Sequence, residues 1–203
     1  MEQEIRFYYS LEEYEKLLER YKNNPELKYE GCFFERTIQY DNPKEEFSFY
    51  SKEIDGRFRV RTSKNILTDE AYSKISWKRR LKDSYLDGIH REEEVELEFD
   101  YSQYGNLEFL LENVIKMKKI ESYERYRNVF LGDCVEIVID KFPFAVALEI
   151  EIKSDECDAY KKINEWLEKL ELRKEDSYAL SWDDKYKEIC IEKGEEQKRY
   201  LTF

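Results

Sequence analysis

At 203 residues the chain is long enough to bury a sizeable core without disulfides or a structural metal, and it reads as one domain, residues 1–203. Its 35 basic and 47 acidic residues leave a net charge of −12, which argues against a general nucleic-acid scaffold but says nothing about what lines a pocket. The 4 cysteines show no CxxC spacing and His90 is the sole histidine, so a zinc site has few plausible ligands and reduced thiols are expected.

The opening MEQEIRFYYS lacks the basic region and apolar core of a signal peptide, and no run is long enough to span a bilayer, so a cytoplasmic protein without membrane contact is expected. Residues 2–8 alternate as a half-buried strand does, with Ile5 and Phe7 on one face and Glu2, Glu4 and Arg6 on the other. Ser10 and Glu13 form a capping box for an amphipathic helix carrying Leu11, Tyr14, Leu17, Leu18 and Tyr21, which stops near Asn23, Asn24 and Pro25. From Leu27 strands take over: KYEGCFFERTIQY, a turn at Asp41, Asn42 and Pro43, and EFSFYSKEI predict a hairpin. Asp55-Gly56 turns the chain into RFRVRT, where Arg57, Arg59 and Arg61 oppose Phe58 and Val60. A loop is predicted over residues 62–73. In KISWKRRL, Ile75 and Trp77 then oppose Ser76, Lys78 and Arg80. After a polar turn that includes His90, HREEEVELEF alternates Glu94, Glu96 and Glu98 with Val95, Leu97 and Phe99. Counting from Arg91 puts Glu93 inward instead; one residue of slip exchanges the faces, and the apolar alternation favours Glu94 and Glu96.

SQYGNLEFLLENVIKMKKI carries Leu107, Leu110, Leu111, Val114 and Ile115 at helical spacing, with lysines at its end as the helix dipole favours. ESYERYRNVF sets Arg125 and Arg127 against Tyr126 and leads into a hairpin, GDCVEIVIDKFPFAVALEIEI. There Val135, Ile137 and Ile139 oppose Glu136 and Asp140, and Leu148, Ile150 and Ile152 oppose Glu149 and Glu151. Residues 158–172 predict a third helix with Ile163, Trp166, Leu167 and Leu170, and SWDDKYKEICIEKG a fourth. Trp77, Trp166 and Trp182 read as packing groups, the tyrosines as amphipathic contacts and Lys185 as a surface lysine.

An antiparallel sheet with one solvated face ordinarily mixes charges and hydroxyls on that face. These strands segregate them instead, with Glu on the first, fifth and last and Arg or Lys on those between. If the sheet closes, its inside is a polar channel that suits a polyanion, because guanidinium forks bind phosphate bidentately, together with a hard cation held by grouped Glu. Each acid pair alone is explained as well by a solvated strand edge; the ordered combination is the signal.

That order resembles the CYTH superfamily of triphosphate tunnel metalloenzymes over nearly the whole chain. Glu2, Glu4 and Arg6 stand for its ExExK strand, with Arg in place of Lys. Arg59 and Arg61 match its Arg-x-Arg, Lys78 its inward Lys, and Arg125 and Arg127 its K-x-R, while Asp140 precedes the EIE-type pair Glu149 and Glu151. The resemblance implies an α+β fold, a closed antiparallel eight-stranded β-barrel with helices packed outside. It also implies metal-dependent hydrolysis of a small triphosphate in the tunnel. Arg6, Arg59, Arg61, Lys78, Arg80, Arg125 and Arg127 would hold phosphates, and Glu2, Glu4, Glu96, Glu149 and Glu151, supported by Glu94 and Asp140, would hold Mg2+ or Mn2+. Glu4, Glu96, Glu151 and Arg6 would be the catalytic residues. The alternatives are a class IV-type adenylyl cyclase and, from a different class, a non-catalytic triphosphate- or polyphosphate-binding module. An RNA 5'-triphosphate end is a less favoured partner at net charge −12, and the assembly is expected to be a monomer or homodimer.

Overall fold

The computed structural model describes residues 2–51, 54–80, 90–153 and 158–203, and the side chains of Glu2, Arg80, His90 and Arg91 also lie outside what is described. In chain order the elements are β1 Glu2–Tyr9, α1 Tyr14–Lys22, β2 Lys28–Asp41, β3 Gly56–Asn65, β4 Ala71–Arg80, β5 His90–Asp100, α2 Tyr104–Phe109, β6 Lys118–Gly132, β7 Val135–Lys141, β8 Val146–Ile152, α3 Ala159–Lys169, α4 Trp182–Lys193 and β9 Tyr200–Leu201. The strands form one curled sheet in the order β2-β3-β4-β5-β1-β8-β7-β6-β9, in which β2 also pairs with β6. Every pairing is antiparallel except that of β9 with β6. The architecture is therefore an α+β fold dominated by an antiparallel sheet.

Because side chains alternate, the register sorts each strand's residues to the two faces of this sheet. On the outer face Ile5, Phe7, Ile137, Ile139, Leu148 and Ile150 pack with Tyr14, Leu18 and Tyr21 of α1 and Ile163, Trp166 and Leu167 of α3. The capping box at Ser10–Glu13 is present as the sequence predicts, a second one at Ser181–Asp184 starts α4, and Gly194, left-handed at φ 68°, ends it. A second outer cluster joins Ile38, Tyr40 and Val60 to Leu111 and Met117. Gly56 has a steric role at its edge, since a Cβ there would meet the Trp77 ring at 2.2 Å.

Several elements differ from their expectation. EFSFYSKEI forms no strand among its described residues, because both edges of β2 are already taken, by β3 and by β6. The Asp41 carboxylate instead gathers the segment into a loop by accepting from the backbone of Asn42 and Phe49 and from Ser48 Oγ, and Phe49 lands on Phe58 and Trp77. The loop over residues 62–73 shrinks to a turn, since Ser63, Lys64 and Asn65 continue β3 opposite Phe33, Phe34 and Glu35. The helix expected through the lysines stops early. A π turn at Leu110–Val114 follows α2, Lys116 is left-handed at φ 65°, and Lys118 and Lys119 open β6. Of its apolar stripe Leu111 is buried, while Leu110, Val114 and Ile115 are exposed. His90, read as a turn residue, begins β5 opposite Glu4. Cys32 and Cys190 are free and buried, but Cys134 is disulfide-bonded, so the expectation of reduced thiols fails there. No described helix is long and apolar enough to cross a membrane.

Candidate active site

The concave face of the sheet encloses a cavity of about 170 Å³, reached by side chains from nearly every strand. From β1 come Glu4 and Arg6, from β3 Arg59 and Arg61, and from β4 Lys74 and Lys78. Strand β5 sends Glu94 and Glu96, β6 Tyr123, Arg125 and Arg127, β7 Glu136, and β8 Glu149 and Glu151. This settles the register of the acidic strand. Lys78 pairs with Glu94 and Ser76 with Glu96 in an unbroken ladder, and Glu93 turns outward to Arg79.

The cations and acids are already interlocked. Arg6 Nε donates to Glu149 Oε1 at 2.5 Å and its Nη2 to Glu4 Oε1 at 2.5 Å, following the pairing of Arg6 with Glu149 across β1 and β8. Arg127 donates to Asp140 at 2.8 and 2.6 Å and to Glu149 at 3.1 Å. Arg125 bridges Glu35 at 2.7 Å and Asp140 at 2.8 Å. Burial pushes the Glu35 and Glu149 carboxyls up, but it is outweighed by Arg125, Arg61 and Arg127 at Glu35 and by Arg6, Arg127 and Arg125 at Glu149, so both stay ionised far below the usual carboxylate range. Glu92 follows the same logic: Arg57, Lys78, Arg59 and Arg6 overcome burial and bring it down to about 2. Arg59 is the contrast. It is 8% exposed, its nearest carboxylate contact is Glu94 at 3.8 Å, and its Nε has no hydrogen-bond partner.

Of the residues singled out from the sequence, Glu4, Arg6, Arg59, Arg61, Lys78, Glu94, Glu96, Arg125, Arg127, Glu149 and Glu151 all line this cavity. Asp140 does not. It is fully buried behind the cationic wall, where it anchors Arg125 and Arg127. The side chains of Glu2 and Arg80 lie outside the described residues, though their backbones sit in β1 and β4. Lys185 points to Glu188 and the Tyr178 ring. Among the described residues no three carboxylates converge to hold a metal ion. The donor set, all carboxylate oxygen, still fits a hard divalent cation in its chemistry. Such an ion would compete with Lys153, which bridges Glu151 at 2.8 Å and Glu136 at 3.4 Å.

Sequence reasoning missed Lys74, Tyr123, Glu136 as a lining group, Glu35 and Trp182. Lys74 has the parity of Lys78 and was findable by extending that alternation one step. Glu35 was hidden by the adjacent apolar pair Phe33 and Phe34 and by a register shift between Tyr29 and Gly31. Trp182 is placed by tertiary contact: the chain before α4 is tied to β1 by Tyr178 N donating to Arg6 O and Arg6 Nη1 to Leu180 O. With Tyr123, Phe142 and Tyr186 it fills one end of the concave face with aromatic rings. The opposite end widens into a space of about 290 Å³ lined by Phe33, Tyr72 and Val129 among charged groups.

No protein-family model and no curated protein matches the sequence. Solved structures share its fold. The PH1819 protein of Pyrococcus horikoshii superposes with a TM-score of 0.67 at 19% identity, covering 95% of this chain and 99% of that one. A candidate adenylate cyclase from Vibrio parahaemolyticus gives 0.61 at 18% identity, with 93% and 97% covered. HpAC1 from Hippeastrum, a candidate adenylyl cyclase described as having a dominant triphosphatase activity, gives 0.59 at 15% identity over 100% of both chains.

Proposed function

We infer that the chain is a CYTH-type triphosphate tunnel enzyme, a single domain that hydrolyses a small triphosphate with the help of Mg2+ or Mn2+. The observation that carries this reading is a charge inversion: the cavity is lined by eight Lys and Arg against six Glu in a chain whose net charge is −12. The unpartnered Nε of buried Arg59 supports it, since a phosphate oxygen is an acceptor that would satisfy it. A closed eight-stranded tunnel is supported by β2 pairing with both β3 and β6, which brings the strand order back on itself. The Hippeastrum and Vibrio proteins lend the fold a precedent in triphosphate chemistry.

In this reading Arg59, Arg61, Arg125 and Arg127 hold the phosphates, with Lys78 and Arg6 beside them, and two of these groups, Arg125 and Arg127, are themselves locked to buried acids and so position the reacting chain. Asp140 and Glu35 act from behind by fixing Arg125 and Arg127. Glu4, Glu94, Glu96, Glu136 and Glu151 are the carboxylates that would hold the divalent ion, which when bound supplies neutralisation of phosphate charge and an activated water. A second reading, an adenylyl cyclase, is favoured by one feature: Phe33, Tyr72 and Val129 at the wide end offer ring and methyl faces against which a nucleoside could rest.

The test is incubation with inorganic triphosphate, thiamine triphosphate and ATP under Mg2+ or Mn2+, separating orthophosphate from pyrophosphate plus cyclic nucleotide. Orthophosphate release that falls by about 100-fold or more in Glu4→Ala and Glu151→Ala, with the fold kept, is expected. Cyclic AMP with pyrophosphate would select the cyclase. Tight binding without product under either metal would select the binding module.

A further inference from the structure

Tyr123 lines the cavity at 1% exposure. Its ring is clamped by Trp182 of α4, 4.3 Å between centroids, and by Phe142 after β7, at 5.8 Å. So held, it stands directly opposite Thr37 on β2, on the same inward face. Thr37 Oγ1 accepts from Arg61 Nε at 3.0 Å. The guanidinium groups around the Tyr123 oxygen are not equally compensated. Arg125 has Glu35 and Asp140 within 2.8 Å, whereas the carboxylate contacts of Arg59 and Arg61 are at 3.8 and 3.7 Å. The Tyr123 oxygen therefore stands beside the two cations most in need of an oxyanion.

We propose that Tyr123 is a substrate-binding residue that trades roles with the polyanion. Before substrate enters, its oxygen is the acceptor facing Arg59, Arg61 and Arg125; when phosphate oxygens take over those cations, it takes a proton from solvent and donates a hydrogen bond to one of them. The one bond that forms is the phenol O–H and the one that breaks is that of the buffer acid giving up the proton. This rests on the triphosphate reading of the same cavity.

The charges around the group make the exchange effective near neutral pH. Burial pushes the hydroxyl up, but Arg61, Arg125 and Arg59, with Thr37, outweigh it and bring it down to about 7. The facing charges are Arg59 and Arg61 on β3, Arg125 on β6 and, behind Thr37 on β2, Glu35, which Arg125 engages; Trp182 and Phe142 are not titratable, and α4 adds the titratable Tyr186 and Cys190 to the same cluster. Burial drives Tyr8, Tyr21, Tyr40 and Tyr50 the other way, so among these buried tyrosines Tyr123 is the one brought toward neutral pH.

The experiment is titration of the intact protein with inorganic triphosphate, without divalent metal, about one unit above pH 7. Tyrosinate absorbance is followed, and calorimetry in two buffers of different protonation enthalpy counts protons. Wild-type protein is expected to lose tyrosinate absorbance on binding and to take up close to one more proton per triphosphate than Tyr123→Phe, the difference vanishing near pH 5. Binding with unchanged absorbance, or equal uptake by both proteins, overturns the role of Tyr123 alone. No binding by wild-type protein overturns the triphosphate reading and this inference with it. The absorbance arm needs no variant, so poor folding of Tyr123→Phe leaves the test decisive.

Discussion

Two walls of the concave face carry the same kinds of residue under opposite conditions. On β6, β7 and β8, Asp140 and Arg125 are sealed from water and bonded at 2.8 Å, because α1 and α3 cover the outer face of that part of the sheet. On β4 and β5, Lys74 reaches Glu96 at 2.9 Å and Glu98 at 3.4 Å, with the Glu98 side chain 66% exposed. The outer residues of β5, Val95 and Leu97, are exposed as well. The lesson is about what an ion pair does in each place. Desolvated and multiply bonded, it fixes geometry and is costly to break; solvated, it is weak and free to rearrange around a ligand.

The largest effect expected from this contrast is at Asp140. Truncation in Asp140→Ala leaves Arg125 and Arg127 buried with three of their bonds gone. Loss of one partner from a buried ionic network costs about 3–5 kcal/mol. Chemical denaturation is expected to show a drop of that size; a drop below about 1 kcal/mol would mean that Glu35 and Glu149 re-satisfy both arginines and that the wall is less rigid than its distances imply.

That division also explains what was legible in the sequence. The alternation of charge on β1, β3, β5, β6 and β8 is a local, period-two signal, and it placed Glu4, Arg59, Glu94, Arg125 and Glu149 on the correct face. What it could not rank was depth. Asp140 and Glu149 look alike in sequence, yet one anchors from behind and the other lines the cavity, because depth depends on which strands curl over which. Tyr123 and Trp182 were read as packing groups, and they do pack; Tyr123 shares the inward face of β6 with Arg125 and Arg127, whereas the access of Trp182 follows from the docking of α4, a contact between segments about 60 residues apart. The false strand in EFSFYSKEI has the same origin, since its aromatics satisfy strand propensity but no sheet edge was left to receive it.

Glu121 tests the boundary between the two regimes. It is half-buried at the end of the concave face nearest α4, where Gln39 Nε2 donates to it and Tyr50 holds Gln39 at 2.6 Å. Burial and then the nearby Asp183 push its carboxyl from 4.5 up to about 7. The folded state thus holds a proton that the unfolded state has released between those values, so this residue's contribution falls as pH rises from 4.5 to 7 and is least favourable above 7. Glu121→Gln keeps an acceptor for Gln39 and removes the charge. It is expected to match wild type below pH 4.5 and to exceed it by about 1–3 kcal/mol above pH 7. Thermal melts at both ends of the window check this, and a variant less stable than wild type at high pH would place the ionised carboxylate in a favourable setting instead.

The smallest effect belongs to the solvated wall. Glu98→Ala removes the longer of the two contacts to Lys74 and leaves Glu96 in place at 2.9 Å. An exposed pair of this kind contributes about 0–1 kcal/mol, less at high salt. Denaturation midpoints are therefore expected to move little, and any shift should shrink as salt is added. If Lys74 helps draw the polyanion in, the same substitution frees it from one competing acid, and triphosphate should bind as well as in wild type or better. A stability loss of several kcal/mol would instead show that β4 and β5 carry the sheet as tightly as the buried wall does, which would erase the contrast between them.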